Sequence, residues 1–201
     1  MEAGLKAERR LDSDKARRIV EAMRASVAVR GAAGSTFDHV AQEAGVSRGL
    51  LHYYFGSKER LLVEVVRRDS EVRMHRLEEH LATADSIDAI VDVLVRQLED
   101  FVAEETPHAI IHELFSVSRV NDEVRDELAE LYRKTRDQVA DVLRAKEAAG
   151  VVRLRGEAEA VASLLFALGD GLELQLVSDP AWDSTSTFAA GIATARFLLG
   201  A

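Results

Sequence analysis

Residues 36–55, TFDHVAQEAGVSRGLLHYYF, put small and apolar side chains where two short helices joined by a tight turn need them. With Phe37 opening the first helix, Val40 and Ala44 share one face, and Ala41 supplies the small side chain where the helices cross. Gly45 is the turn residue, because glycine enters the left-handed backbone that ends a helix without a steric penalty. Val46, Leu51 and Tyr54 then supply the apolar contacts that hold the second helix against the first. The chemistry of such a helix-turn-helix unit is the reading of DNA.

The elements that position this unit can be read on either side of it. From Ser13 or Asp14 as a cap, Ile19, Met23 and Val27 recur at four-residue spacing, so a first helix runs to about Gly31 and packs under the two-helix unit. Thr36 is placed to cap the helix starting at Phe37. Ser57 is placed to cap a longer one that starts at Lys58, carries Glu59 in its first turn and continues through Leu61, Leu62, Val65 and Val66 toward His80. Ile87, Ile90, Val91, Leu94, Leu98 and Phe101 form the next helical stripe. Thr106-Pro107 reads as a cap and first position, and a long helix spans about Asp122 to Ala148 before Gly150 stops it. No strand-like alternation competes, so the fold expected is all-α.

The net charge of −9 looks wrong for a nucleic-acid binder until it is divided along the chain. Residues 1–68 hold 13 Lys and Arg against 9 Asp and Glu, a net of +4, and the remainder carries −13. A basic head precedes an acidic body, which would repel DNA and so orient the molecule on it. Residues 1–12, with Lys6, Arg9 and Arg10, read as a mobile basic arm. No apolar run approaches the ~18 residues of a membrane span, and the polar start lacks a secretion signal, so a cytoplasmic protein with no membrane role is expected. The chain has no cysteine, which excludes disulfides, thiolate zinc sites and thiol nucleophiles.

Residues 157–178 are apolar on more than one side: Val161, Leu165, Leu168, Leu172 and Leu176 on one face, with Leu164, Gly171 and Leu174 around it. A last helix carries Phe188, Ile192, Ala195 and Leu199. Leu165, Leu172, Leu176, Phe188, Ile192 and Ala195 are expected at a two-fold interface in which these helices and their copies form a four-helix bundle; the alternative is that both close the chain's own core. His108 and His112 stand at i and i+4 with Glu113 alongside, but no third ligand is set by spacing, and no metal or cofactor is expected. Asp170, between Gly169 and Gly171, reads as a buried or cavity-facing acid.

Residues 41–61, AQEAGVSRGLLHYYFGSKERL, resemble the pattern AxxAGVSxGxLYxYFxSKExL around the reading helix of the TetR family of bacterial transcription regulators. The resemblance covers about residues 13–68. It implies a DNA-binding head over residues 1–56 and a helical effector-binding and dimerisation body over residues 57–201. Such a protein is a homodimer that binds a palindromic double-stranded operator and responds to a small organic effector. Carried over residue by residue, it puts base readout on Arg48, Gly49, Leu50, His52 and Tyr53, with Arg48 suited to grip guanine O6 and N7. Phosphate contacts fall to Thr36, Ser47, Tyr54 and Lys58. His52 departs from the family, where tyrosine is commoner. An effector cavity would be lined by Phe101, Phe115, Phe166 and Leu168, with His75, His112 or Tyr132 orienting the ligand. The reading that follows is a regulator, a repressor rather than an enzyme. Its rivals are a TetR-like protein answering to a protein partner or to no ligand, and, more remotely, a helical enzyme.

Overall fold

The computed structural model describes residues 13–103 and 105–201, with the side chains of residues 105, 106 and 108 outside the description; the expected arm over residues 1–12 lies outside it too. The described residues are helical, without strand. In order they form α1 (Asp14–Gly34), α2 (Phe37–Ala44), α3 (Arg48–Phe55), α4 (Lys58–Thr83), α5 (Ile87–Ala103), α6 (Glu105–Ser118), α7 (Asp122–Ala148), α8 (Ala158–Ser178) and α9 (Thr185–Leu199). Side-chain caps set several starts. Ser13 Oγ accepts from Ala16 N at 3.3 Å, Thr36 Oγ1 from His39 N at 3.3 Å, Ser57 Oγ from Arg60 N at 3.2 Å and Asn121 Oδ1 from Val124 N at 3.2 Å. α1 loses regular helical geometry at Gly31, as its sequence leads one to expect. The expected cap at Thr106 instead falls inside α6, which begins at Glu105.

The chain divides into two compact units that are not contiguous in sequence: Met1–Asp69 with Glu105–Glu130, and Ser70–Glu104 with Leu131–Ala201. In the first unit α1 packs on α2 and α6, and α2 on α3. Ile19, Val20, Met23, Val40, Leu51, Leu61, Leu62, Ile110 and Leu114 are buried there, each worth about 1.5–3 kcal/mol of removed apolar surface. A buried polar relay closes the end of α1. Ser26 Oγ donates to Ser35 Oγ at 2.9 Å, and Ser35 Oγ donates to the Gly31 carbonyl at 2.9 Å, so neither hydroxyl is buried without a partner.

In the second unit α5 packs on α8 and α9, and α8 on α9, around Leu77, Leu81, Ile90, Val91, Leu143, Val161, Ala162 and Leu199. Arg153 N and Arg155 N donate to the carbonyls of Leu199 and Leu198 at 3.0 Å each, tying the α7–α8 connection to the end of α9. One expectation needs correction here. α8 is, by length and composition alone, long and apolar enough to cross a membrane, whereas the sequence reading found no such run. The residues expected at a subunit interface are covered to different degrees within the single chain: Leu172 and Ala195 are buried, and Leu165, Leu176, Phe188 and Ile192 are half-buried, Leu165 and Ile192 against the core. The most exposed apolar residues of these two helices are Leu164, Leu174, Val177 and Phe197, between 43% and 58% exposed.

Candidate functional site

The turn between α2 and α3 is built by backbone geometry before any side chain is considered. Gly45 adopts φ 64 and ψ 39, and the chain reverses so that Val46 N donates to Ala41 O at 3.0 Å and Gly45 N to Gln42 O at 3.3 Å. These bonds satisfy carbonyls that α2 would otherwise leave open, in a geometry that any residue with a Cβ resists. Leu51 and Phe55 anchor α3 from below. The positions left on its outer side are Arg48, Gly49, His52 and Tyr53, all exposed, with Leu50 half-buried at the margin.

These residues are not loose. Arg48 Nη1 lies 3.2 and 3.3 Å from the two carboxylate oxygens of Asp38 on α2. His52 Nδ1 is 3.0 Å from the Gly56 carbonyl oxygen, and its ring meets the buried Phe37 ring edge to face at 4.9 Å between centroids. Tyr53 and Tyr54 stand edge to face at 5.3 Å. Of the expected phosphate contacts, Thr36 is exposed and its hydroxyl caps α2, while Ser47 is exposed at the start of α3 without making a side-chain cap. Lys58 Nζ donates to the Ala33 carbonyl at 3.3 Å, and half-buried Tyr54 accepts from Ser13 Oγ at 3.3 Å. Asp38 and Gly56 escaped the sequence reading. Nothing in spacing distinguishes an acid that faces Arg48 across a turn from one on a solvated face.

In the second unit a different chemistry gathers. Arg73 on α4 places its guanidinium 4.8 Å from the centre of the Phe101 ring, a cation–π distance. Burial, then the charges of Asp170 and Glu173, push the Tyr132 hydroxyl well above the usual phenol range, with Arg73 opposing them. Burial and then Glu173 raise the Asp170 carboxyl above its ordinary value. Asp170 is nonetheless exposed by area, so it stands at a rim, whereas Glu173 is 5% exposed and deep. Phe101, Tyr132 and Phe166, expected in an effector cavity, are half-buried in this unit. His75, expected with them, is an exposed residue that pairs with Glu79 at 3.3 Å, because the α4 periodicity that buries Met74 and Leu77 turns it outward. Leu168 is half-buried. His112 and Phe115 belong to the first unit, where Phe115 is 45% exposed. Among the described residues no cluster of three or more potential metal ligands occurs, and the side chain of His108 lies outside them. The missed residues are Arg73 and Glu173; an acid set in the apolar run LELQLV was the available signal for the second.

Residues 19–65 match the bacterial regulatory proteins of the tetR family, and residues 84–199 match the C-terminal domain of BetI-type transcriptional repressors. The regulator BetI of Rhizobium meliloti (strain 1021) is 30% identical over 163 residues, 78% of this chain and 75% of its own length. The BetI regulator of Agrobacterium fabrum is 43% identical over 49 residues, 24% of each chain. A transcriptional regulator from Saccharomonospora viridis, solved in complex with choline, is 25% identical with a TM-score of 0.66, covering 91% of this chain and 92% of its own. A TetR-family regulator from Mesorhizobium loti shares the fold at 17% identity and a TM-score of 0.76, over 94% of this chain and 100% of its own. The fold and the helix-turn-helix therefore define a DNA-binding transcriptional regulator, not an enzyme. The chain belongs to the TetR family, with a C-terminal domain of the BetI type.

Proposed function

We propose that this protein is a repressor that holds a palindromic operator as a homodimer and leaves it when a small organic cation binds the body. The reading head is residues 1–56 and the effector-binding and dimerisation body residues 57–201. The observation that carries the first part is the outer face of α3, where Arg48, Gly49, His52 and Tyr53 are exposed together above the buried Leu51 and Phe55. Arg48 reads guanine and Lys58 reaches a phosphate at the start of α4. Ser47, Thr36 and Tyr54 stand close in sequence to the same contacts.

One head offers few cations and binds weakly, so two heads joined by a dimer are part of recognition. The outward apolar faces of α8 and α9, with Leu164, Leu174, Val177 and Phe197, support a dimer formed there. For the effector, the support is the pair of carboxylates, Asp170 and Glu173, acting on Tyr132, and the Phe101 face on which the Arg73 guanidinium already sits as a cation, since carboxylates and aromatic faces are what a quaternary ammonium needs. The choline complex of the Saccharomonospora viridis regulator points the same way. Effector binding would favour a dimer whose heads no longer match successive major grooves, ~34 Å apart.

Selection from a random DNA pool tests the reading: two inverted half-sites are expected. Arg48→Ala should abolish the sequence preference while circular dichroism and oligomer mass stay as in the wild type. Unchanged selectivity would remove Arg48 from the reading role. Choline, used as the cationic probe, should release the selected operator, and Glu173→Gln should weaken that release by roughly tenfold or more. Release that ignores Glu173→Gln, or no release by choline and related ammonium compounds, would overturn the cationic effector.

A further inference from the structure

His52, on the outer face of α3, has its hydrogen-bonding polarity set by the fold. Its Nδ1 lies 3.0 Å from the carbonyl oxygen of Gly56. A carbonyl oxygen only accepts, so Nδ1 carries the proton and donates it. A neutral imidazole has a single N–H, and Nε2 is then left with a lone pair. The arrangement is built from two directions. Gly56 closes α3 with φ 77 and ψ −56, a left-handed φ that turns its carbonyl back toward the ring instead of along the helix. On another side, Phe37, 7% exposed in the head, meets the imidazole edge to face with planes 68° apart. Rotation of the ring to present its other nitrogen would break the Gly56 bond and disturb this contact.

The consequence lies in the major groove. Guanine and thymine offer oxygen acceptors at the exocyclic position, adenine and cytosine offer amino donors. A lone pair facing O6 or O4 is repelled, while one facing N6 or N4 makes a hydrogen bond. Resting on the reading of α3 as the base-contacting helix, we infer that His52 is a specificity residue that accepts a hydrogen bond from the amino group of an adenine or a cytosine. Arg48, four residues earlier on the same helix, donates to guanine. The pair gives each half-site one donor-read and one acceptor-read position. A tyrosine hydroxyl at position 52 would lack this polarity, since it donates as readily as it accepts.

The test begins with the free protein labelled in its imidazole nitrogens at about pH 8, where histidine side chains are ordinarily neutral. An Nε2 resonance of the unprotonated type is expected for His52, and a protonated Nε2 would overturn the inference. Operators are then selected with the wild type and with His52→Phe, which keeps a ring against Phe37 and removes the acceptor. The wild type should choose adenine or cytosine at one position per half-site where His52→Phe is indifferent, with guanine retained at the Arg48 position by both. Replacing that adenine by purine, or that cytosine by pyrimidin-2-one, deletes only the amino group. Wild-type affinity should fall roughly fivefold, and the affinity of His52→Phe should fall less on the same DNA, which removes the effect of altered base pairing. Guanine or thymine at the His52-dependent position, or a wild type insensitive to every amino deletion, defeats the inference. If guanine selection still depends on Arg48, α3 remains the reading helix; if no operator depends on either residue, both readings fall. Should His52→Phe unfold, the amino deletions on wild-type protein decide alone.

Discussion

α3 and α8 make opposite uses of an exposed face. α3 is eight residues long, buries Leu51 and Phe55, and opens a polar and aromatic side that is tied down by Asp38, Phe37 and Gly56. α8 is 21 residues long and apolar on several sides, and Leu164, Leu174 and Val177 face outward from the chain. Exposure means different things on the two faces. A polar face held in register by its own fold has a definite chemistry, because donors and acceptors are directional. An apolar face has only an area to offer, and its meaning depends on what covers it.

The comparison breaks most visibly in the core beneath the reading face. Leu51 is fully buried, and Leu51→Ala should cost about 2–5 kcal/mol by loss of transfer energy and by the cavity left behind. A large drop in melting temperature with loss of operator binding is expected; a small one would mean that α3 owes its place to its caps and turn. On α8 the matching experiment is Leu174→Asp. Leu174 is 52% exposed in the single chain, so the change should leave secondary structure intact while light scattering reports the proposed dimer falling to monomer. A persistent dimer would move the interface off this face.

The smallest effect concerns the rim of the second unit. Because burial and Glu173 raise the folded pKa of Asp170 above its ordinary 3.8, its contribution to stability is full below that value and is lost as pH rises through the raised pKa. At neutral pH the ionised carboxyl opposes folding, so Asp170→Asn should melt slightly higher than the wild type at pH 7. The gap should close as the pH falls toward 3.8. The effect is modest because solvent reaches the group. An Asn variant that melts lower at pH 7 would mean that the carboxylate has a stabilising partner.

Much of the head was legible because its determinants are local. Ser13, Thr36 and Ser57 cap the helices they precede, Gly45 turns the chain, and Ile19, Met23 and Val27 go inward together. The body was legible as helices but poorly as faces. Leu172 and Ala195 read as interface residues because α8 and α9 are apolar on several sides, and no periodicity says which side meets the chain's own core. His75 is hard to place for a related reason: a histidine suits a cavity by type, but helix phase decides that it faces outward, where it pairs with Glu79.

The letters alone carry that this chain is helical, where several of its helices begin, and that residues 36–55 make a helix-turn-helix. Caps, turn glycines and apolar spacing act within a few residues and leave their mark in the string of letters. Tertiary structure alone decided that Asp38 faces Arg48, that the Gly56 carbonyl sets the proton of His52, that α6 packs on α1, and that Arg73 reaches the Phe101 ring. Each of those depends on the direction of a side chain in a packed environment. Direction is fixed by many weak contacts acting together, and no single stretch of sequence carries them.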